Sequence, residues 1–134
     1  MTIEVTFENC CVGVDQDGKE FNLGAAHVLR ALLDNGHNIC VKTEYTDEES
    51  HKKVYDWFKQ NGIYLIGDNL NTKYIDITID PKDISAHKLI GYHSVRGKFF
   101  DWHTAVGILK VKGLLTIQQE EILYNEIRKE LYYA

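Results

Sequence analysis

Three short stretches of this 134-residue chain place polar side chains where apolar runs stop. Thr6-Phe7-Glu8-Asn9 closes an alternating run that starts at Thr2. Thr43-Glu44 follows Ile39-Cys40-Val41, and Asp80-Pro81-Lys82-Asp83 follows Ile75–Ile79, with Lys73 just ahead of that run. If the runs are strands of an open parallel sheet, all three stretches meet at its carboxyl edge, where such sheets bind ligands. A fourth stretch, Asp15-Gln16-Asp17-Gly18, sets two carboxylates one residue apart before a glycine. It has the composition of a hairpin turn. As a calcium loop it is poor, because with Gly18 as the loop glycine the closing bidentate acid falls on Gly24.

Other reactive residue types give less. Cys10, Cys11, Cys40 and the six histidines show no zinc-ligand spacing, and a buried cysteine usually serves as a small hydrophobe. His87, His93 and His103, with Asp101, read as ordinary surface groups. The segment from His87 to His103 interleaves Lys88, Arg96 and Lys98 with Tyr92, Phe99, Phe100 and Trp102. Three readings stand: aromatic core with solvated cations, a single-stranded nucleic-acid surface, or a protein interface. A net charge of −5 speaks against nucleic acid, whose binders are usually basic. A protein partner or self-association through residues 92–103 is the binding surface carried forward.

The elements that must position these groups follow from periodicity. Ile3, Val5 and Phe7 alternate with polar residues, as in a strand with one apolar face. The runs Cys11–Val14 and Lys19–Phe21 flank the glycine-ended tetrad, which gives a hairpin. Ala25, Val28, Leu29, Leu32 and Leu33 share one helical face, and Gly36 takes the position beyond the helix end that favours a left-handed backbone. Thr46 with Glu49 has capping-box spacing for a second helix, lined by Val54, Tyr55 and Phe58 and closed at Asn61-Gly62. Ile63–Ile66 and Ile75–Ile79 read as further strands, with Leu89–Tyr92 as a short candidate. Thr116 with Gln119 caps a last helix striped by Leu123, Ile127 and Leu131. Strands alternating with helices predict an α/β fold with a mainly parallel sheet.

The length suits one domain, residues 1–134, and no linker or repeat divides it. The first residues carry no signal-peptide pattern, and no window reaches the roughly 18 apolar residues of a membrane span. With an odd number of unspaced cysteines, these features predict a cytoplasmic protein that does not enter a membrane.

The strand-end set resembles the haloacid-dehalogenase-type (HAD-like) phosphatase superfamily, in particular its small members with little or no cap. The resemblance covers roughly residues 2–110. It implies a three-layer Rossmann-like fold and assigns roles to the strand ends. Thr43 stands where the family's phosphate-binding hydroxyl stands, Lys73 where its phosphate-neutralising lysine stands, and Asp80, with Asp83, where its Mg²⁺-binding acids stand. The family's nucleophilic aspartate and its acid/base aspartate fall on Thr6 and Glu8, with Asn9 and Cys10 following. A threonine hydroxyl is not an anionic acceptor, and no neighbour in sequence is a base to activate it. This alignment therefore predicts a binding or interaction module that has lost phosphohydrolase activity and needs no cofactor, retaining at most a phosphate-like anion at Thr43 and Lys73. A second alignment takes Asp15-Gln16-Asp17-Gly18 as the motif. It makes Asp15 the nucleophile and Asp17 the acid/base of an active Mg²⁺-dependent phosphohydrolase. An unrelated α/β interaction domain is the third reading.

Overall fold

Alternating apolar residues build β1 (Thr2–Thr6), and the parallel strands β4 (Asn38–Lys42), β5 (Leu65–Asp68) and β6 (Ile77–Ile79) join it in one sheet. The computed structural model describes residues 1–14, 17–68, 74–80 and 99–132. The strand order is β5-β4-β1-β6, with every pair parallel. Ile3 and Val5 pair with Ile39 and Val41 on one side and with Ile77 and Ile79 on the other. These registers put the branched side chains on a common face, since residues two apart in a strand share a side. Ile3, Val5, Ile39 and Val41 are fully buried there.

The predicted hairpin forms from β2 (Val12–Val14) and β3 (Glu20–Asn22), paired antiparallel. Its Gly13 is required sterically: a Cβ there would lie 2.8 Å from the Phe99 ring and 2.9 Å from that of Phe21. Asp17 is exposed in the connecting turn. Asp15 lies outside the described residues.

Helices α1 (Ala25–Asp34) and α2 (Glu48–Gln60) make the β1→β4 and β4→β5 crossovers. Both steps move in one direction across the sheet, so right-handed connections put both helices on the same face. A hydrogen bond from Arg30 of α1 to the Asn61 carbonyl after α2 (2.7 Å) ties them together. α1 ends as expected, with Gly36 at φ 88°, and α2 with Gly62 at φ 73°. The start of α2 differs from expectation. Asp47, not Thr46, is the cap, accepting from the Ser50 amide at 2.9 Å. A carboxylate both satisfies the free amide and complements the helix dipole, which a hydroxyl one residue earlier does not. That amide bond, above all, holds the Asp47 pKa below the usual value.

The strands after α2 start two residues later than their apolar runs. β5 begins at Leu65, not Ile63, and β6 at Ile77, not Ile75. Ile63 is spent on packing beneath the turn, where its amide bonds back to the Phe58 carbonyl. The candidate strand Leu89–Tyr92 lies outside the described residues.

Helices α3 (Trp102–Val111) and α4 (Ile117–Tyr132) pack against each other and against α1. The Thr116–Gln119 capping box is present in both directions, at 3.0 and 3.1 Å. Leu123, Ile127 and Leu131 are buried as their spacing predicts. The surface expected over residues 92–103 needs correction. Phe99, Phe100 and Trp102 are 2%, 0% and 0% exposed and belong to the main core. His103 stacks on Tyr124 at 4.3 Å. Aromatic rings bury too much area to stay at the surface when a sheet edge and two helices converge on them. Residues 92–98, with Arg96 and Lys98, lie outside the described residues, so no aromatic–basic interface is carried by the described part. No described helix is long and apolar enough to cross a membrane.

Candidate functional site

Strand order reverses beside β1: β4 and β5 lie on one side and β6 on the other. At such a switch point the loops leave in opposite directions and open a crevice at the carboxyl ends of the strands. A crevice of about 90 Å³ is found there, lined by residues of the β1, β4 and β6 ends. It brings together Thr6, Glu8, Thr43 and Asp80, as the sequence reading expects. Lys73 and Asp83 lie outside the described residues. Asp17, of the second alignment, does not line the crevice.

The loop after β1 sets the geometry. The amides of Cys10, Cys11 and Val12 all point at the Phe7 carbonyl, and the Asn9 amide bonds to Val12 O at 2.8 Å. Asn9 adopts a left-handed backbone, φ 60°, which asparagine tolerates better than most residues. The loop is pinned from behind by Trp102, whose Nε1–H donates to the Cys10 carbonyl at 2.6 Å. Cys10 and Cys11 lie beneath it, and their thiols donate weakly to the carbonyls of Ile79 and Thr6. Burial raises both thiol pKa values well above the usual one. Neutral, enclosed thiols of this kind are structural.

Two hydrogen-bonded pairs occupy the crevice. The Thr6 hydroxyl donates to Asp80 Oδ2 at 2.8 Å, across the β1–β6 seam. The Lys42 ammonium, from the residue paired with Thr6 on β4, stands 3.7 Å from the same oxygen. Its half-exposed side chain makes this ion pair a weak contributor to stability. The absence of a base beside Thr6 in sequence is thus corrected in space, because Asp80 accepts the threonine proton's hydrogen bond. On the other side of β1 the Thr43 hydroxyl donates to Glu8 Oε1 at 2.6 Å, and the Glu44 amide donates to the same oxygen at 2.8 Å. The Thr43 oxygen in turn accepts from the Tyr45 amide at 3.2 Å. Glu8 Oε2 is buried with no hydrogen-bond partner among the described residues.

A hydroxyl and an adjacent amide converging on one oxygen form a seat for an anion. Here the chain's own Glu8 carboxylate fills it. For the Mg²⁺ that the resemblance implies, the donor set is a poor fit. Magnesium needs near-octahedral oxygen ligands around a convergent carboxylate or two. Asp80 Oδ2 already faces a hydroxyl and an ammonium, and Glu8 Oε1 two donors. Among the described residues no group of three acidic, histidine or cysteine side chains converges.

Lys42 was not singled out from the sequence. Its signal was present, since Lys42 directly follows the apolar run Ile39–Val41, and the register then pairs it with Thr6. Asp68, at the end of β5, was missed as well. It is buried and accepts from the Tyr55 hydroxyl at 2.9 Å, with His51 at 4.0 Å. Burial and the Asp68 carboxylate together push the Tyr55 pKa up to about 12.

No protein-family model, no curated protein and no solved structure matches this chain.

Proposed function

We propose that this chain is a HAD-like α/β module of the three-layer Rossmann type that has lost phosphohydrolase activity and works by binding. The observation that carries the reading is the pair of bonds to Glu8 Oε1 from the Thr43 hydroxyl and the Glu44 amide. On the phosphatase alignment the Thr43 hydroxyl is the donor that would grip a phosphoryl oxygen, and the Glu44 amide stands beside it. A resident carboxylate there repels a phosphoester and takes both of its donors. At the nucleophile position Thr6 is itself a donor, bonded to Asp80. The family attacks phosphorus with an aspartate oxyanion, and Thr6 offers instead a neutral hydroxyl already engaged as a donor to Asp80. Loss of a nucleophile costs on the order of 10⁶ in turnover in enzymes of known mechanism, more than positioning residues restore.

The test has two arms. With Mg²⁺ and a panel of phosphomonoesters, the purified chain is expected to show no turnover above the buffer blank. Magnesium-dependent turnover unchanged by Thr6→Ala and Glu8→Ala would refute the reading. In the second arm inorganic phosphate is titrated while the Glu44 amide resonance is followed. The wild type should not respond, and Glu8→Ala, which empties the seat, should bind phosphate. A wild type that binds phosphate as well as Glu8→Ala would show that the carboxylate does not block the seat.

A further inference from the structure

Beside the crevice a second, larger cleft runs between β3 of the hairpin and one face of α2. Its volume is about 360 Å³, within the range of roughly 300–1,000 Å³ typical of small-molecule sites. Phe7 and Trp57 form an aromatic wall, their rings edge to face at 5.8 Å. The Trp57 ring is fixed in place because its Nε1–H donates to Asn22 Oδ1 at 3.0 Å, which ties α2 to the hairpin. Tyr45 stands at the mouth, 42% exposed.

The rim of the cleft is acidic. Glu20 from β3 and Asp56 from α2 line it against one ammonium, Lys53. Neither the Glu20 nor the Asp56 side chain makes an ion pair or hydrogen bond with a described residue. The negative field reaches the aromatic mouth. Burial raises the Tyr45 pKa, and the charges of Glu8, Glu20 and Asp47 raise it further. An anion entering would meet these carboxylates. A neutral apolar ligand would leave them unused. A cation with an apolar body meets both features, since aromatic faces attract cations and carboxylates complement the charge.

We propose that the cleft between β3 and α2 binds a small organic ammonium ion, its carbon groups against Trp57 and Tyr45 and its charge facing Glu20 and Asp56. The site is separate from the Glu8-filled seat and does not depend on the phosphatase-like reading. Its chemistry is recognition only, with no bond made or broken.

The experiment uses the full chain and follows Trp57 fluorescence and calorimetric heat as choline is added. The uncharged isostere 3,3-dimethyl-1-butanol, of the same shape, is run in parallel. Trp102 is fully buried and serves as a constant background. Choline is expected to give a saturable response, with the isostere weaker by roughly tenfold or more. Glu20→Gln and Asp56→Asn change side chains at the surface and should each weaken choline binding several-fold while leaving the thermal unfolding midpoint in place. Trp57→Leu should abolish the response in calorimetry. Equal binding of choline and its isostere would overturn the proposal by making the cleft merely apolar. No saturable choline response, or tighter binding of inorganic phosphate through Lys53, would overturn it too. Choline binding indifferent to both carboxylate substitutions would do the same.

Discussion

The Thr6 hydroxyl and the Asp80 carboxylate, 74 residues apart in sequence, meet at 2.8 Å where strand order reverses beside β1. The bond joins the ends of two neighbouring parallel strands and is charge-assisted. Thr6→Val keeps the shape and removes the donor. Its expected cost is about 1–2 kcal/mol, read from urea unfolding. In an Asp80→Ala background the same change should cost much less, because its partner is gone. Additive losses would mean that the two side chains are not coupled.

Tyr55 gives a pH dependence of definite sign. Its folded pKa is raised from 10.0 to about 12 by burial and by Asp68. Below pH 10 the residue is protonated in both folded and unfolded chains, and its contribution is fully present. Between pH 10 and about 12 the unfolded chain releases the proton and the folded one does not, so stability falls as pH rises. Tyr55→Phe should flatten that part of the stability–pH curve relative to wild type. Parallel curves for the two proteins would show that Tyr55 does not titrate differently on folding.

All three cysteines are buried and in no disulfide, and burial raises the thiol pKa of Cys10 and Cys11. Reaction of the native protein with an aromatic disulfide reagent at neutral pH should therefore be slow. It should be limited by opening of the structure rather than by reagent concentration. In denaturant all three thiols should react at once. Fast modification of a native thiol would place one of them at the surface.

Trp102 carries both burial and a bond to the loop that shapes the crevice. Trp102→Ala is expected to cost about 3–5 kcal/mol through the cavity it leaves. Trp102→Phe should cost less, about 1–3 kcal/mol, chiefly because the buried Cys10 carbonyl loses its donor. Chemical unfolding of the two variants checks the order. Near-wild-type stability of Trp102→Ala would remove the ring from the core.

How much of this was legible beforehand depended on distance along the chain. The capping box of Thr116 and Gln119, the left-handed glycines at 36 and 62, the β2–β3 hairpin and the buried stripe of α4 are all decided within a few residues. Composition and spacing display such features directly. The alternation of strand and helix patterns likewise implied a parallel sheet, and with it a carboxyl edge that gathers Thr6, Glu8, Thr43 and Asp80. The cap of α2 slipped by one residue because Thr46 and Asp47 are both good caps. Only the path of the chain into the helix selects between them.

What the sequence determined by itself was therefore the set of groups at that edge and the neutrality of the hydroxyl at Thr6. Only the tertiary structure decided which donor met which acceptor. Thr43 turned to Glu8 and Thr6 to Asp80 because strand order and register set neighbours at the edge, and those depend on contacts across 35 and 74 residues. The same holds for Phe99, Phe100 and Trp102. Their alternation with cations fits a surface or a core equally well in one dimension. Burial followed from the convergence of the hairpin, α3 and α4 on one volume, which no local pattern encodes.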